Sequence, residues 1–196
     1  MLQYPLQLVV VAASTGGPQA LGEFLRALPS KLAAPIIVVQ HMSRHFISAF
    51  VERLAHDAKL PLGVAQGREL IYAGQIWFAP GGRHLLVERY GLGLRVRLTD
   101  GAPVNGCRPS ADETLTSAAV SVGAKMLAVI LSGIGRDGRD GCRAVKQAGG
   151  QILVQDSASA AVAEMPEAVA KEQLAEGAYP PSELGLRVGR KLAYGR

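Results

Sequence analysis

Cysteine is scarce: Cys107 and Cys142 are the only two in 196 residues, too few for the disulfide framework of a small secreted domain. Aromatic residues amount to 5%, and the arginines are dispersed rather than gathered in a basic stretch with interleaved Phe or Tyr. That pattern excludes the usual nucleic-acid binder, and no nucleic-acid partner is expected. Long apolar runs are missing too. Leu8–Ala13 and Met126–Leu131, among the longest, fall far short of the roughly 18 consecutive apolar residues of a membrane helix, so no membrane insertion is expected. The opening residues MLQYPLQLVVVAAS lack the basic flank and cleavage site of a signal peptide. Together these absences point to a cytoplasmic protein.

What is present is a globular balance, 48% hydrophobic and 19% charged residues. A chain of this length buries roughly 70% of its unfolded surface, so a real core is available without staples. No linker, repeat or low-complexity tract interrupts it, and residues 1–196 read as one domain. Lys and Arg number 21 against 16 Asp and Glu, a formal charge of +5, which favours encounter with an acidic partner.

Hydrophobic periodicity alternates strands with helices. Gln7–Ala13 and Ala34–Gln40 read as buried strands, followed by helices carrying Leu21, Phe24, Leu25 and Leu28, then Phe46, Ile47, Phe50, Val51 and Leu54. From Leu62 to Asp100 the short runs GQIWFAP, RHLLVER and LRVRLTD, separated by glycine pairs, read as hairpins forming an antiparallel appendage. Ser110 with Glu113 three residues on predicts a capping box and a helix. Strand Met126–Leu131, a glycine-rich turn, helix Arg139–Ala148 and strand Gln151–Gln155 follow, with further helices after Met165-Pro166 and after Pro180-Pro181-Ser182. The class is α/β: a doubly wound, mostly parallel sheet with helices on both faces and a hairpin appendage.

In such sheets ligands sit beyond the carboxyl ends of the strands, which directs attention to three residues. Ser14 lies on a strand-to-helix turn among small residues, a setting that exposes a nucleophilic hydroxyl and offers helix-start amides to an oxyanion; a Ser-Thr pair at that position also serves as a plain helix cap. His41 is the histidine that ends a strand, and a neutral imidazole can take a serine proton and return it to a leaving group. Asp137, in the loop after the Met126–Leu131 strand, is placed to accept Nδ1–H of His41 and hold its tautomer, with Asp140 as the rival carboxylate.

Gly133, Gly135 and Gly138 also spell G-x-G-x-x-G between a strand and a helix, with Asp156 ending the next strand, the spacing of a dinucleotide-binding unit. Against it, Asp137 sits in the turn where a carboxylate repels pyrophosphate. No P-loop lysine, calcium-loop glutamate or C-x-x-C pair occurs, so no metal site is indicated and both cysteines read as ordinary thiols.

Six segments carry a resemblance: Ala13-Ser14-Thr15-Gly16-Gly17-Pro18, Val39-Gln40-His41-Met42, Ala79-Pro80-Gly81-Gly82-Arg83-His84, Arg108-Pro109-Ser110-Ala111-Asp112, Gly133-Ile134-Gly135-Arg136-Asp137-Gly138 and Gln155-Asp156. In this order, over roughly residues 7–192, the chain resembles the catalytic domain of CheB-type protein-glutamate methylesterases of bacterial chemotaxis. The resemblance implies Ser14 as nucleophile, His41 as general base and acid, Asp137 as its orienter, and backbone donors near Thr15 and Ile134 for the oxyanion. It implies no cofactor. The implied substrates are γ-glutamyl methyl esters on cytoplasmic helices of chemoreceptors, with methanol released, and receptor glutamines open to deamidation. Three positions depart from the family pattern: Ile134 stands for a usual Met, Cys107 for a usual His and Glu164 for a usual Gly. The receiver domain that family members commonly carry is not expected within these residues. The alternatives are a dinucleotide-binding α/β module or a catalytically silent receptor-binding domain.

Overall fold

The computed structural model describes residues 6–58 and 60–193; the outermost residues of the expected 1–196 span lie outside the described residues. Strand β1 (Leu8–Ala13) is buried along its whole length, as expected of a continuous apolar run covered on both faces. Helix α1 (Gly17–Arg26), β2 (Ile36–Gln40) and α2 (Arg44–Ala58) follow. Three short strands, β3 (Leu62–Val64), β4 (Leu70–Ile71) and β5 (Ile76–Phe78), precede the longer β6 (His84–Tyr90) and β7 (Gly93–Thr99). Then come α3 (Ala111–Val122), β8 (Met126–Ile130), α4 (Arg139–Gln147), β9 (Gln151–Gln155), α5 (Glu164–Ala170), β10 (Gly177–Tyr179) and α6 (Pro181–Ala193).

Seven strands form a parallel sheet in the order β10-β9-β8-β1-β2-β5-β3. The winding runs outward from β1 in both directions, so the strand order reverses beside β1 and opens a crevice at the carboxyl ends of β1, β2 and β8. Alternation along β1 divides the core. Val9, Val11 and Ala13 pack with Leu21 and Phe24 of α1, Phe50 of α2 and Val188 of α6. Leu8, Val10 and Ala12 pack on the opposite face with Leu115 of α3, Val145 of α4 and Val169 of α5. Each fully buried Val, Leu or Phe among them contributes about 1.5–3 kcal/mol.

The segment from Leu62 to Asp100 departs from the expectation of hairpins throughout. Only β6 and β7 form a long hairpin, in register from His84↔Thr99 to Tyr90↔Gly93. The run GQIWFAP supplies β5, which pairs parallel with β2 through Ile36↔Ile76. Ile76 and Phe78 are both buried, and the main sheet covers them where a surface hairpin would leave one face wet. The antiparallel strands β4, β7 and β6 form a separate sheet whose apolar face, with Leu85, Val87 and Val96, joins the second core cluster. Ser110 makes no capping bond to α3; its hydroxyl is used elsewhere.

Candidate active site

Parallel pairing of β1 with β2 sets Ala13 opposite Gln40, and the His41 amide donates to Ala13 O at 2.9 Å. The next residues of the two strands, Ser14 and His41, therefore emerge side by side. On the other flank the Ser14 amide donates to Ser132 O at 2.9 Å, just past β8. Gly133 follows there because a Cβ at that position would overlap Met165 Sδ and lie 2.8 Å from Ser14 Cβ. Helix α1 starts from Gly16, whose φ of 78° favours glycine. No side chain caps this helix, so the capping alternative for Ser14 is not realised. Its hydroxyl has no hydrogen-bond partner among the described residues.

His41 Nε2 lies 2.7 Å from Asp137 Oδ2. The expected contact was through Nδ1. The difference follows from how the carboxylate is anchored: Asp137 receives the Ser110 hydroxyl at 2.7 Å and the amides of Ala111 and Asp112 at 2.6 and 3.1 Å. It thus caps α3 from another loop, taking the place of the expected capping box, and meets the imidazole at Nε2. Burial pushes the Asp137 carboxyl up, but the bonds from His41, Ser110 and the two amides outweigh it and hold the group below the ordinary carboxylate value. The rival Asp140 is exposed and pairs with Arg139 and Arg143 on α4.

At its helix end the glycine-rich turn has no free amides to offer a pyrophosphate. The amides of Gly138 and Gly141 donate to Asp112 Oδ1 at 2.9 and 2.7 Å, and Asn105 Nδ2 donates to Oδ2 at 2.8 Å. A buried carboxylate therefore fills the position that a dinucleotide would need. Asp156 accepts the Ser159 amide at 2.7 Å, closing its own turn. The amides of Thr15 and Ile134, by contrast, have no partner among the described residues. They flank Ser14 at the ends of β1 and β8.

Sequence reasoning missed several residues that hold this arrangement. Gln40, buried at the end of an otherwise apolar strand, donates through Nε2 to Ser14 O and His41 O at 2.9 and 3.2 Å. Ser132 donates its hydroxyl to Thr15 O at 2.7 Å, while its amide donates to Gln155 Oε1 at 2.8 Å. A lone polar residue closing each apolar run was the available signal. Ser110 was seen as a cap, but its role as a donor to Asp137 depends on a residue 27 positions away.

In comparison with known proteins, the CheB methylesterase family model matches residues 9–188. The chain belongs to the CheB methylesterase family. Among its relatives is a protein-glutamate methylesterase/protein-glutamine glutaminase of Trichodesmium erythraeum, 38% identical over 98% of this chain and 54% of that protein. One of the same description from a Nocardioides species is 43% identical over 95% of this chain and 51% of that protein. The chain spans about half the length of these curated relatives. The crystal structure of the Thermotoga maritima CheB methylesterase catalytic domain superposes with a TM-score of 0.92 at 33% identity, covering 94% of this chain and 98% of that one.

Two of the three positions that the resemblance singles out make contacts beside the site. Glu164 Oε2 accepts the Gly135 amide at 2.8 Å, tethering the glycine turn. Cys107 is not an isolated thiol: its Sγ lies 3.7 Å from His41 Nδ1. Ile134, the third, is exposed. A cleft of about 300 Å³ opens beside His41 and Cys107, bounded by Met42, Gly106 and Arg108.

Proposed function

We propose that the chain is a serine hydrolase that removes methyl groups from γ-glutamyl methyl esters on the cytoplasmic helices of chemoreceptors and deamidates receptor glutamines, acting in the cytoplasm. Ser14 Oγ attacks the ester carbonyl, and His41 takes the hydroxyl proton at Nδ1, the nitrogen that Asp137 leaves free. The free amides of Thr15 and Ile134 receive the oxyanion. Collapse of the tetrahedral intermediate breaks the bond to methoxide, which leaves as methanol with the proton from His41. Water then gives a proton to His41 and attacks the acyl-enzyme, and Ser14 recovers its proton as the glutamate departs. Asp137, ionised by its four donors, stabilises the imidazolium. For a glutamine the same steps release ammonia.

The observation that carries this reading is the juxtaposition of Ser14, which caps no helix, with the His41–Asp137 pair across the β1–β2 register. Both activities are in the descriptions of the relatives, and the positive charge of the chain suits Glu-rich helices. Cys107 is the other nucleophile within reach of the imidazole, but burial, with the charges of Asp137 and Asp112, pushes its thiol up to about 11, leaving little thiolate near neutral pH.

Methanol release from methylated receptor cytoplasmic fragments tests the proposal. Wild type is expected to release it, and a folded Ser14→Ala variant to lose on the order of 10⁴-fold or more. Equal release by both proteins would remove Ser14 as nucleophile.

A further inference from the structure

The sequence contains no spaced ligand motif, yet the fold brings a thiol, an imidazole and a carboxylate from three loops to one place: ligand atoms of His41, Cys107 and Asp137 all lie within 4.8 Å of one another. Of these, sulfur and ring nitrogen are the donor types that select zinc and its thiophilic neighbours. We propose that Cys107 Sγ and His41 Nδ1 together bind a thiophilic divalent cation reversibly, and that the bound cation inhibits the enzyme.

The separation fits a bridged pair. Metal–sulfur and metal–nitrogen bonds of ~2.3 and ~2.05 Å at a tetrahedral angle put the two ligand atoms ~3.5 Å apart, against 3.7 Å between Sγ and Nδ1. Asp137 does not enter the coordination sphere, because its oxygens already receive Ser110, Ala111, Asp112 and His41. Its bond to Nε2 at 2.7 Å is instead the carboxylate–histidine arrangement that orients metal-binding imidazoles and raises their basicity. The remaining positions face the cleft beside Met42 and Gly106, where water completes the sphere. Binding forms the S–metal and N–metal bonds and releases the thiol proton to solvent.

Inhibition follows from the identity of the nitrogen. Nδ1 carries the lone pair that receives the Ser14 proton, so a cation there and a proton from Ser14 exclude each other. This consequence rests on the esterase reading; the binding itself does not.

Cadmium titration of the full chain, read by thiolate-to-metal charge-transfer absorbance, tests the site. Wild type and Cys142→Ser, which alters a fully buried cysteine elsewhere in the core, are expected to saturate at one equivalent. Cys107→Ser and His41→Ala are expected to lose affinity by at least about tenfold, and Asp137→Asn by about 10–100-fold. Wild-type affinity in Cys107→Ser, or in a His41→Ala variant of native circular dichroism, would overturn the site. In the methanol assay, saturating zinc is expected to suppress wild-type release at least about tenfold, with recovery on chelation; unchanged release with cadmium binding intact would overturn the inhibitory role. If wild type releases no methanol from any methylated fragment, the esterase reading fails, while the absorbance titration still decides the site.

Discussion

Asp137 grips His41 at Nε2, 2.7 Å away, and thereby leaves Nδ1 to the side of Cys107 Sγ, 3.7 Å away. The same carboxylate caps α3 through the amides of Ala111 and Asp112. One side chain therefore joins a helix start to the imidazole, and its loss is expected to be felt in stability and, by the proposed mechanism, in rate.

Asp137→Asn puts an amide where the oxygens now accept four donors. A drop of about 10⁴-fold in kcat is expected, with a stability loss of about 1–3 kcal/mol from mismatched buried donors. Ser110→Ala removes one donor of the four and is expected to cost about 1 kcal/mol and less than about tenfold in kcat, with KM unmoved. Denaturant melts and steady-state kinetics on the two variants check the contrast; equal losses in kcat would mean that the ionised carboxylate is not what matters.

Gly133 and Gly135 separate crowding from backbone strain. A Cβ at Gly133 overlaps Met165 and presses on Ser14, whereas one at Gly135 meets nothing within 4 Å but must adopt a φ of 87°. Gly133→Ala should lose about 1–3 kcal/mol and most of its activity. Gly135→Ala should lose about 1–2 kcal/mol with a smaller loss of rate. Melting curves paired with methanol assays decide it, and the reverse order of rates would contradict the close approach of Gly133 to Ser14.

Asp112 and Asp137 link stability to pH with opposite signs. Burial, opposed by the Gly141 amide and reinforced by the charges of Asp137 and Asp140, pushes Asp112 from 3.8 up to about 6. The folded state therefore binds this proton more tightly than the unfolded chain. Its contribution is complete below pH 3.8 and is lost as pH rises through about 6. Asp112→Asn is expected to gain stability relative to wild type across that window. Asp137 is held below its ordinary 3.8, so its contribution is present above that value and disappears as pH falls below it. Melting temperatures of the wild type and the two Asn variants across the acid range read both slopes; parallel curves would refute them.

Asp112 also predicts a negative result. Because its Oδ1 already takes the amides of Gly138 and Gly141, added NAD should leave the melting temperature unchanged. A concentration-dependent rise would revive the dinucleotide reading of the glycine turn.

Local pattern made most elements legible. Strand Gln151–Gln155 was read with its observed boundaries, and β1, β2 and β8 within two residues, because buried parallel strands are apolar throughout. The short strands β3, β4 and β10 were missed: they have only two or three residues each, and their pairing with partners elsewhere in the chain leaves no period of its own. The placement of Ser14, His41 and Asp137 at neighbouring strand ends was legible because each directly follows an apolar run of the sheet or its glycine turn. The partners of Ser110, Gln40 and Gln155 were not, since hydrogen bonds spanning 23 to 27 residues leave no local trace of what they join.

The sequence by itself determined the alternation of buried strands and amphipathic helices, and with it the strand ends where chemistry concentrates, because burial on both sheet faces forces a continuous apolar run. Tertiary structure alone decided which ring nitrogen meets Asp137, which carboxylate closes the glycine turn, and that Cys107 stands against His41. Those outcomes depend on angles and distances between loops, which the fold sets only after the sheet has assembled.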